Sequence, residues 1–199
     1  MVSLSSENRF LGAFLFSLGL FCIVQFKYGL FTGKVGYIVN RDLPYVAETA
    51  VTLVGNALGT LIAALLLRQV RFFTSTVSTM DVTISDRVQA TVSGKIHDNP
   101  LSIFILAVFC GILMFTAVEG SRKCKEEKNF AGSLFVVVMP VMVFIICGFN
   151  HCIADMFYYF FAGCPEPSKA IVYFILAIAG NSVGGMIVPL LKKLSNQPL

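Results

Sequence analysis

Long apolar runs divided by short polar breaks set out this chain. They cover residues 9–26, 45–67, 100–118, 131–162 and 169–191. None alternates polar and apolar positions with a period of two, so each predicts a helix rather than a strand. A membrane span takes about 20 residues at 1.5 Å rise per residue. Residues 9–26 fall just short of that, and residues 131–162 exceed it. The longer run is interrupted at Gly148-Phe149-Asn150-His151. A similar interruption, Gly29-Leu30-Phe31-Thr32-Gly33, follows the first run, and apolar residues resume at Val35–Val39. Lipid offers backbone groups no hydrogen-bond partner, so a broken helix persists only where it lines a cavity or is buried in protein.

Each break is followed by a turn and then by the same pattern. The first copy is Gly55-Asn56-x-x-Gly59 and the second is Gly180-Asn181-x-x-Gly184. Small residues at this spacing let a neighbouring backbone approach closely. Two halves that each carry an interrupted segment point to a transport site between them. Five spans make the halves inverted. The predicted fold is an all-α integral membrane bundle, one transmembrane domain over residues 1–199, with two broken helices. The remaining polar stretch, residues 68–99, is predicted as an interfacial amphipathic helix or loop.

Composition narrows the class. The chain is 56% hydrophobic and 13% charged, whereas a soluble domain carries about 25% charged residues. It has too few polar residues to cover a water-facing surface, which places it in a lipid bilayer as a multi-pass protein; a bacterial-type inner or plasma membrane is the expected location. The net charge of +4 lies mostly in loops, and without a basic tract nucleic-acid binding is excluded. The basic residues of 27–41, 122–128 and 192–193 assign those segments to one side, the cytoplasmic one. The six Cys form no Cys-x-x-Cys pair, so neither a metal site nor a cofactor is expected. Cys22, Cys110, Cys147 and Cys152 read as small core residues. No nucleophile–base arrangement speaks for an enzyme.

His151 carries the chemistry. An ionisable group at membrane depth faces a cavity or a partner, and marks a functional site by default. The competing reading is a satisfied histidine inside a helix bundle.

With the order and spacing of these segments in hand, the chain resembles the formate/nitrite transporter family over about residues 9–192. Gly29-Leu30-Phe31-Thr32-Gly33 resembles the family's Leu-Phe-Thr loop. Gly148-Phe-Asn-His-Cys-Ile-Ala-Asp-Met-Phe157 resembles its Phe-Glu-His-Ser-x-Ala-Asn-Met signature. Lys95 stands sixteen residues before Gly111, the spacing of the family's lysine and its fourth-helix asparagine. The resemblance implies an aquaporin-like protomer, a homo-oligomer (a pentamer), and a pore in each protomer. It implies passage of small monovalent weak-acid anions such as formate, nitrite, acetate or hydrosulfide. It places Thr32, Lys95, Asn150, Gly111 and His151 on the substrate pathway, with Lys95 at a vestibule and His151 at the centre, and an ordinary imidazole pKa of about 6.5 suits His151 to donate or relay a proton to the substrate. Phe16, Leu20 and Phe144 would form one apolar constriction, and Leu30, Phe31 and Met114 the other. The sequence departs from the pattern in having Gly111 and Asp155 where the family has asparagine, and Asn150 where it has glutamate. No run matches the family's first helix. A partial channel subunit that needs a partner, or a channel for a small neutral solute, are therefore the alternative readings.

Overall fold

The structure is a computed structural model and describes residues 8–77 and 82–195. Helix α1 (Arg9–Gln25) starts at Asn8, whose side chain accepts the N–H groups of Phe10 and Leu11. After a break, the short α2 (Phe31–Lys34) runs on as a 3-10 turn over Val35–Asn40. Helix α3 (Leu43–Arg68) carries Pro44 in its first turn, where a missing N–H breaks no bond. A 3-10 turn (Arg71–Thr74) and a hairpin of β1 (Thr76–Val77) and β2 (Val82–Thr83) lead to α4 (Ile84–Ile96). Then come α5 (Pro100–Glu126), α6 (Phe130–Cys147), α7 (Cys152–Ala162) and α8 (Pro167–Leu194). Four of these, α3, α5, α6 and α8, are long and apolar enough to cross a membrane, and α1 and α7 are shorter apolar helices.

Three sequence expectations are corrected by the observed elements. Residues 120–128, expected as a charged loop after a helix ending at 118, are helical as far as Glu126. Arg122 binds Glu119 at 2.7 Å and Glu126 at 2.5 Å, pairs three and four residues apart that support a helix in water. Within residues 68–99, α4 is amphipathic as expected, but its apolar face lies against protein rather than along a membrane surface. Ile84, Val88, Val92 and Ile96 are buried at a four-residue spacing, and α4 packs on α7. Burying each such side chain from water contributes about 1.5–3 kcal/mol, and a Thr83–Asp86 capping box fixes where the helix begins. Cys22 and Cys147, expected in the core, are exposed on the outer faces of α1 and α6, whereas Cys110 and Cys152 are buried.

The packing follows the repeat. Helices α5 and α8 share the most extensive interface, and α6 lies against both α5 and α1. Glycines make the α5–α8 approach close. A Cβ on Gly111 would strike the backbone oxygen of Asn181, and one on Gly184 would strike that of Val108. Helix α3 is different, burying only Thr49 and Ala64. Its contacts are chiefly with α7. At one end of the bundle Lys125 donates to the Val24 carbonyl and Lys193 to that of Val39. At the other, Arg68 reaches the Phe160 carbonyl, and Lys169 meets His97.

Candidate functional site

Both breaks are built the same way. Where α2 begins, the Asn56 side chain accepts the Phe31 N–H at 2.9 Å and donates to the Gly29 carbonyl at 2.9 Å. Where α7 begins, the Asn181 side chain accepts the Cys152 N–H at 2.9 Å and donates to the Asn150 carbonyl at 2.8 Å. Asn181 also donates to the Ala107 carbonyl at 2.8 Å. Each asparagine of the repeated Gly-Asn pattern thus bonds the first residue of the resumed helix and the carbonyl two residues before it. An amide side chain suits the task because it offers an acceptor and two donors. By this equivalence Leu30 and His151 occupy the same place in the two halves, each the residue just ahead of a resumed helix. Gly148 closes α6 at φ 73°, a left-handed conformation that favours glycine.

His151 is 5% exposed. It is the N-cap of α7, and its Nδ1 accepts the Ala154 N–H at 3.2 Å. Its Nε2 lies 3.1 Å from the Thr32 hydroxyl. A ring whose Nδ1 accepts carries its hydrogen on Nε2 when neutral, so Nε2 donates to Thr32. The Phe144 ring stacks on the imidazole at 5.5 Å and meets Phe16 edge-on at 5.9 Å.

His151 lines a cavity of about 440 Å³. Phe16, Leu20, Leu30, Met114 and Phe144 line it too. The structure therefore brings five of the six expected constriction residues and the histidine around one space. Phe31, the sixth, is buried but does not line it, and Thr32 touches it only through His151. The walls are almost wholly apolar, and His151 is the one ionisable group besides the Tyr158 phenol among the described lining residues. Leu30 and Ile23 also line a second cavity of about 300 Å³ toward the end carrying Lys27 and Lys125.

Three expected pathway residues lie elsewhere. Gly111 does not face the cavity. It sits in the α5–α8 contact, where no side chain fits. Lys95 and Asn150 belong to a polar cluster outside the cavity walls. The Lys95 ammonium donates to Asn150 Oδ1 at 2.7 Å and lies 3.2 Å from Asp155 Oδ1. The Tyr173 hydroxyl donates to Asp155 Oδ2 at 2.6 Å, and Asn150 Nδ2 donates to the Ile103 carbonyl at 3.2 Å. Asp155 is 5% exposed and the Lys95 side chain 20%. Lys95 is therefore closed by a carboxylate rather than standing open at a vestibule. The sequence holds the signals for this. A charge at membrane depth demands a counter-charge, and a tyrosine buried in an apolar helix demands a partner for its hydroxyl.

Among the described residues no group of three or more His, Cys, Asp or Glu side chains could hold a metal ion. The formate channel FocA of Haemophilus influenzae is 28% identical over 152 residues, covering 75% of this chain and 52% of that protein. The chain thus spans about half the length of that relative. A transporter of Bacillus subtilis, YrhG, is 29% identical over 193 residues, covering 92% of this chain and 69% of its own. Among solved structures, a pentameric formate channel with formate bound superposes with a TM-score of 0.70 at 24% identity, over 94% of this chain and 82% of its own. An FNT family ion channel superposes at 0.77 with 15% identity, over 99% and 82%. These two likenesses carry the fold, a helical membrane bundle. The formate/nitrite transporter family model matches residues 1–193. The repeated Gly-Asn pattern, the two clasped breaks and the histidine at the second of them thus sit in a multi-pass membrane protein, and the chain is a member of the formate/nitrite transporter family.

Proposed function

We propose that this protein conducts small monovalent weak acids of the formate class across the membrane, and that they pass His151 in their neutral, protonated form. One observation carries the reading: an apolar cavity of about 440 Å³ whose described walls hold no charged side chain and a single imidazole. An unpaired anion in such surroundings costs at least several kcal/mol, whereas its conjugate acid does not carry that penalty. Similarity to formate channels, in sequence and in fold, favours the same solute class. The pentameric assembly of one of those channels favours a homo-oligomer.

The hydrogen bonds around His151 favour a role other than proton donor. A proton on Nδ1 would point at the Ala154 N–H, two donors head to head. The neutral ring instead gives up its Thr32 bond and donates the Nε2 hydrogen to the passing acid, while Nδ1 keeps capping α7. The anion then takes up a proton from the aqueous phase at the mouth and enters as the neutral acid. Asp155 neutralises Lys95, so Lys95 is not the residue that gathers anions.

Formate flux into liposomes tests this with two variants. His151→Phe removes both ring contacts. His151→Asn keeps a side chain able to cap α7 but not the reach to Thr32. Both are expected to lower flux about tenfold, the equivalent of one lost hydrogen bond of ~1.4 kcal/mol. Wild-type flux from a well-folded His151→Asn channel would remove the histidine from conduction. Competition by an uncharged solute of the same size, with formate ineffective, would favour the neutral-solute reading.

A second reading, a subunit that needs a neighbour to close its cavity, rests on the wall between α1 and α3. These helices make little contact. Gly19 and Gly59 line the cavity from either side, and a Cβ on either would meet nothing within 4 Å. A Gly59→Cys variant is expected to cross-link to an adjoining subunit in native membranes. Labelling of that thiol by a lipid-soluble reagent, without cross-linked dimers, would leave the wall to lipid.

A further inference from the structure

Helices α5 and α8 run side by side in the same direction. A Cβ on Gly180 would meet Phe104 and Ala107, and one on Gly184 would meet Val108 and Ile112, so the contact climbs both helices together. Both therefore end at the same side of the membrane, and their last turns carry Lys123, Lys125, Lys192 and Lys193. Lys125 and Lys193 turn to backbone carbonyls, those of Val24 and Val39. Lys123 and Lys192 turn to each other, and their ammonium groups are close neighbours across the seam. No carboxylate resolves this pair. Glu119 stands 3.9 Å from Lys123, but both of its oxygens are already bonded. Arg122 takes one at 2.7 Å, and Arg122 and the Tyr37 hydroxyl take the other at 2.9 and 2.8 Å. Among the described residues no carboxylate lies within 4.0 Å of Lys192. The carbonyl ends of the two helices supply about half an electron each, which leaves the pair about one positive charge in excess. Beside it, Leu191 and Leu194 are 59% and 80% exposed. Neither lysine lines the cavities described above.

We propose that Lys123 and Lys192 form a headgroup site for one anionic phospholipid, whose phosphate bridges the two ammonium groups while an acyl chain lies along Leu191 and Leu194. A phosphodiester carries the single negative charge the pair lacks, and its free oxygens accept from both ammonium groups at once. Basic groups between spanning helices at the charged side of a membrane take lipid phosphates in this way. A free phosphate would meet the same two cations but leave the leucines bare. The bound lipid fastens α5 to α8 at their ends, as Gly111 and Asn181 do in the middle. The site is independent of the conduction reading.

The probe is phosphatidylglycerol, titrated into the delipidated protein in an uncharged detergent and read by native mass spectrometry. Phosphatidylcholine is the zwitterionic reference, and inorganic phosphate is the headgroup without tails. The wild type is expected to hold one phosphatidylglycerol per subunit in preference to phosphatidylcholine. In the Lys123→Gln/Lys192→Gln double variant the Kd for phosphatidylglycerol is expected to rise about thirtyfold, about fivefold for each lysine. The Lys123→Arg/Lys192→Arg pair keeps both charges and retains binding. Lys27→Gln/Lys128→Gln removes two charges from turns at the same end and leaves the Kd unchanged. The Gln pair at 123 and 192 relieves a like-charge contact, so it is expected to melt no lower than the wild type without lipid, and lost binding is then not lost folding. An unchanged Kd in that variant overturns the proposal, as does an equal loss in the 27 and 128 pair, which would mean attraction to net charge alone. Displacement of the lipid by millimolar inorganic phosphate would overturn it in favour of a free anion.

Discussion

Replacing Asn181 with alanine is expected to cost the folded bundle about 3–6 kcal/mol, because several buried backbone groups lose their partners together. Asn181 is fully buried, and its side chain serves the Cys152 N–H and the carbonyls of Asn150 and Ala107. Lipid and packed helices supply no water to take over those bonds. The α7 N-terminus would then pull away from α8 and carry His151 out of reach of Thr32. The measurement is thermal unfolding in detergent alongside formate flux. Asn181→Asp, which keeps the acceptor but loses the donors, should fall between alanine and wild type. Asn56→Ala removes two bonds at a half-buried site, so its effect should be smaller. A melting temperature for Asn181→Ala within about two degrees of wild type would show that the second break holds itself together.

The second large effect concerns the Lys95–Asp155 pair. Removing one partner of a buried ion pair leaves an uncompensated charge and costs about 3–5 kcal/mol, whereas replacing both by apolar residues is often close to neutral. Lys95→Met should therefore destabilise strongly. In that variant Asp155 keeps only the Tyr173 hydroxyl of its two side-chain partners. Asp155→Leu should do the same by stranding the ammonium. The double variant should recover most of the loss, and a double-mutant cycle in melting temperature reads the coupling directly. It also separates two roles for Lys95. If the lysine only ties α4 to α7, the double variant conducts at low formate concentration. A stable double variant with flux lost at low concentration would return Lys95 to anion recruitment.

Much of this architecture is legible in the sequence because lipid makes hydrophobic patterning strict. Interrupted runs have to be broken helices, and the paired Gly-Asn patterns have to correspond. The histidine stands out because an ionisable group in an apolar run needs a reason. What spacing does not carry is direction around a helix axis. The resemblance to the family puts Lys95 and Gly111 on one pathway. In space Lys95 turns to Asp155 and Gly111 turns to the backbone of α8. A glycine in place of a polar residue reads as a lost pathway group, whereas in the folded chain it is the condition for two helices to touch. The extension of α5 to Glu126 is hidden for a similar reason. Charge run and solvated loop share a composition, and only the three- and four-residue spacing of Glu119, Arg122 and Glu126 separates them.

The matched clasps of Asn56 and Asn181 divide labour between scaffold and chemistry. Backbone geometry is duplicated, so each seam holds its shape whatever side chain stands ahead of it. At one seam that side chain is a hydrocarbon, Leu30, and at the other an imidazole, His151. On the proposed pathway a travelling molecule would meet the same frame twice but an imidazole once. The leucine seam is where this protein could acquire a new selectivity without disturbing its framework.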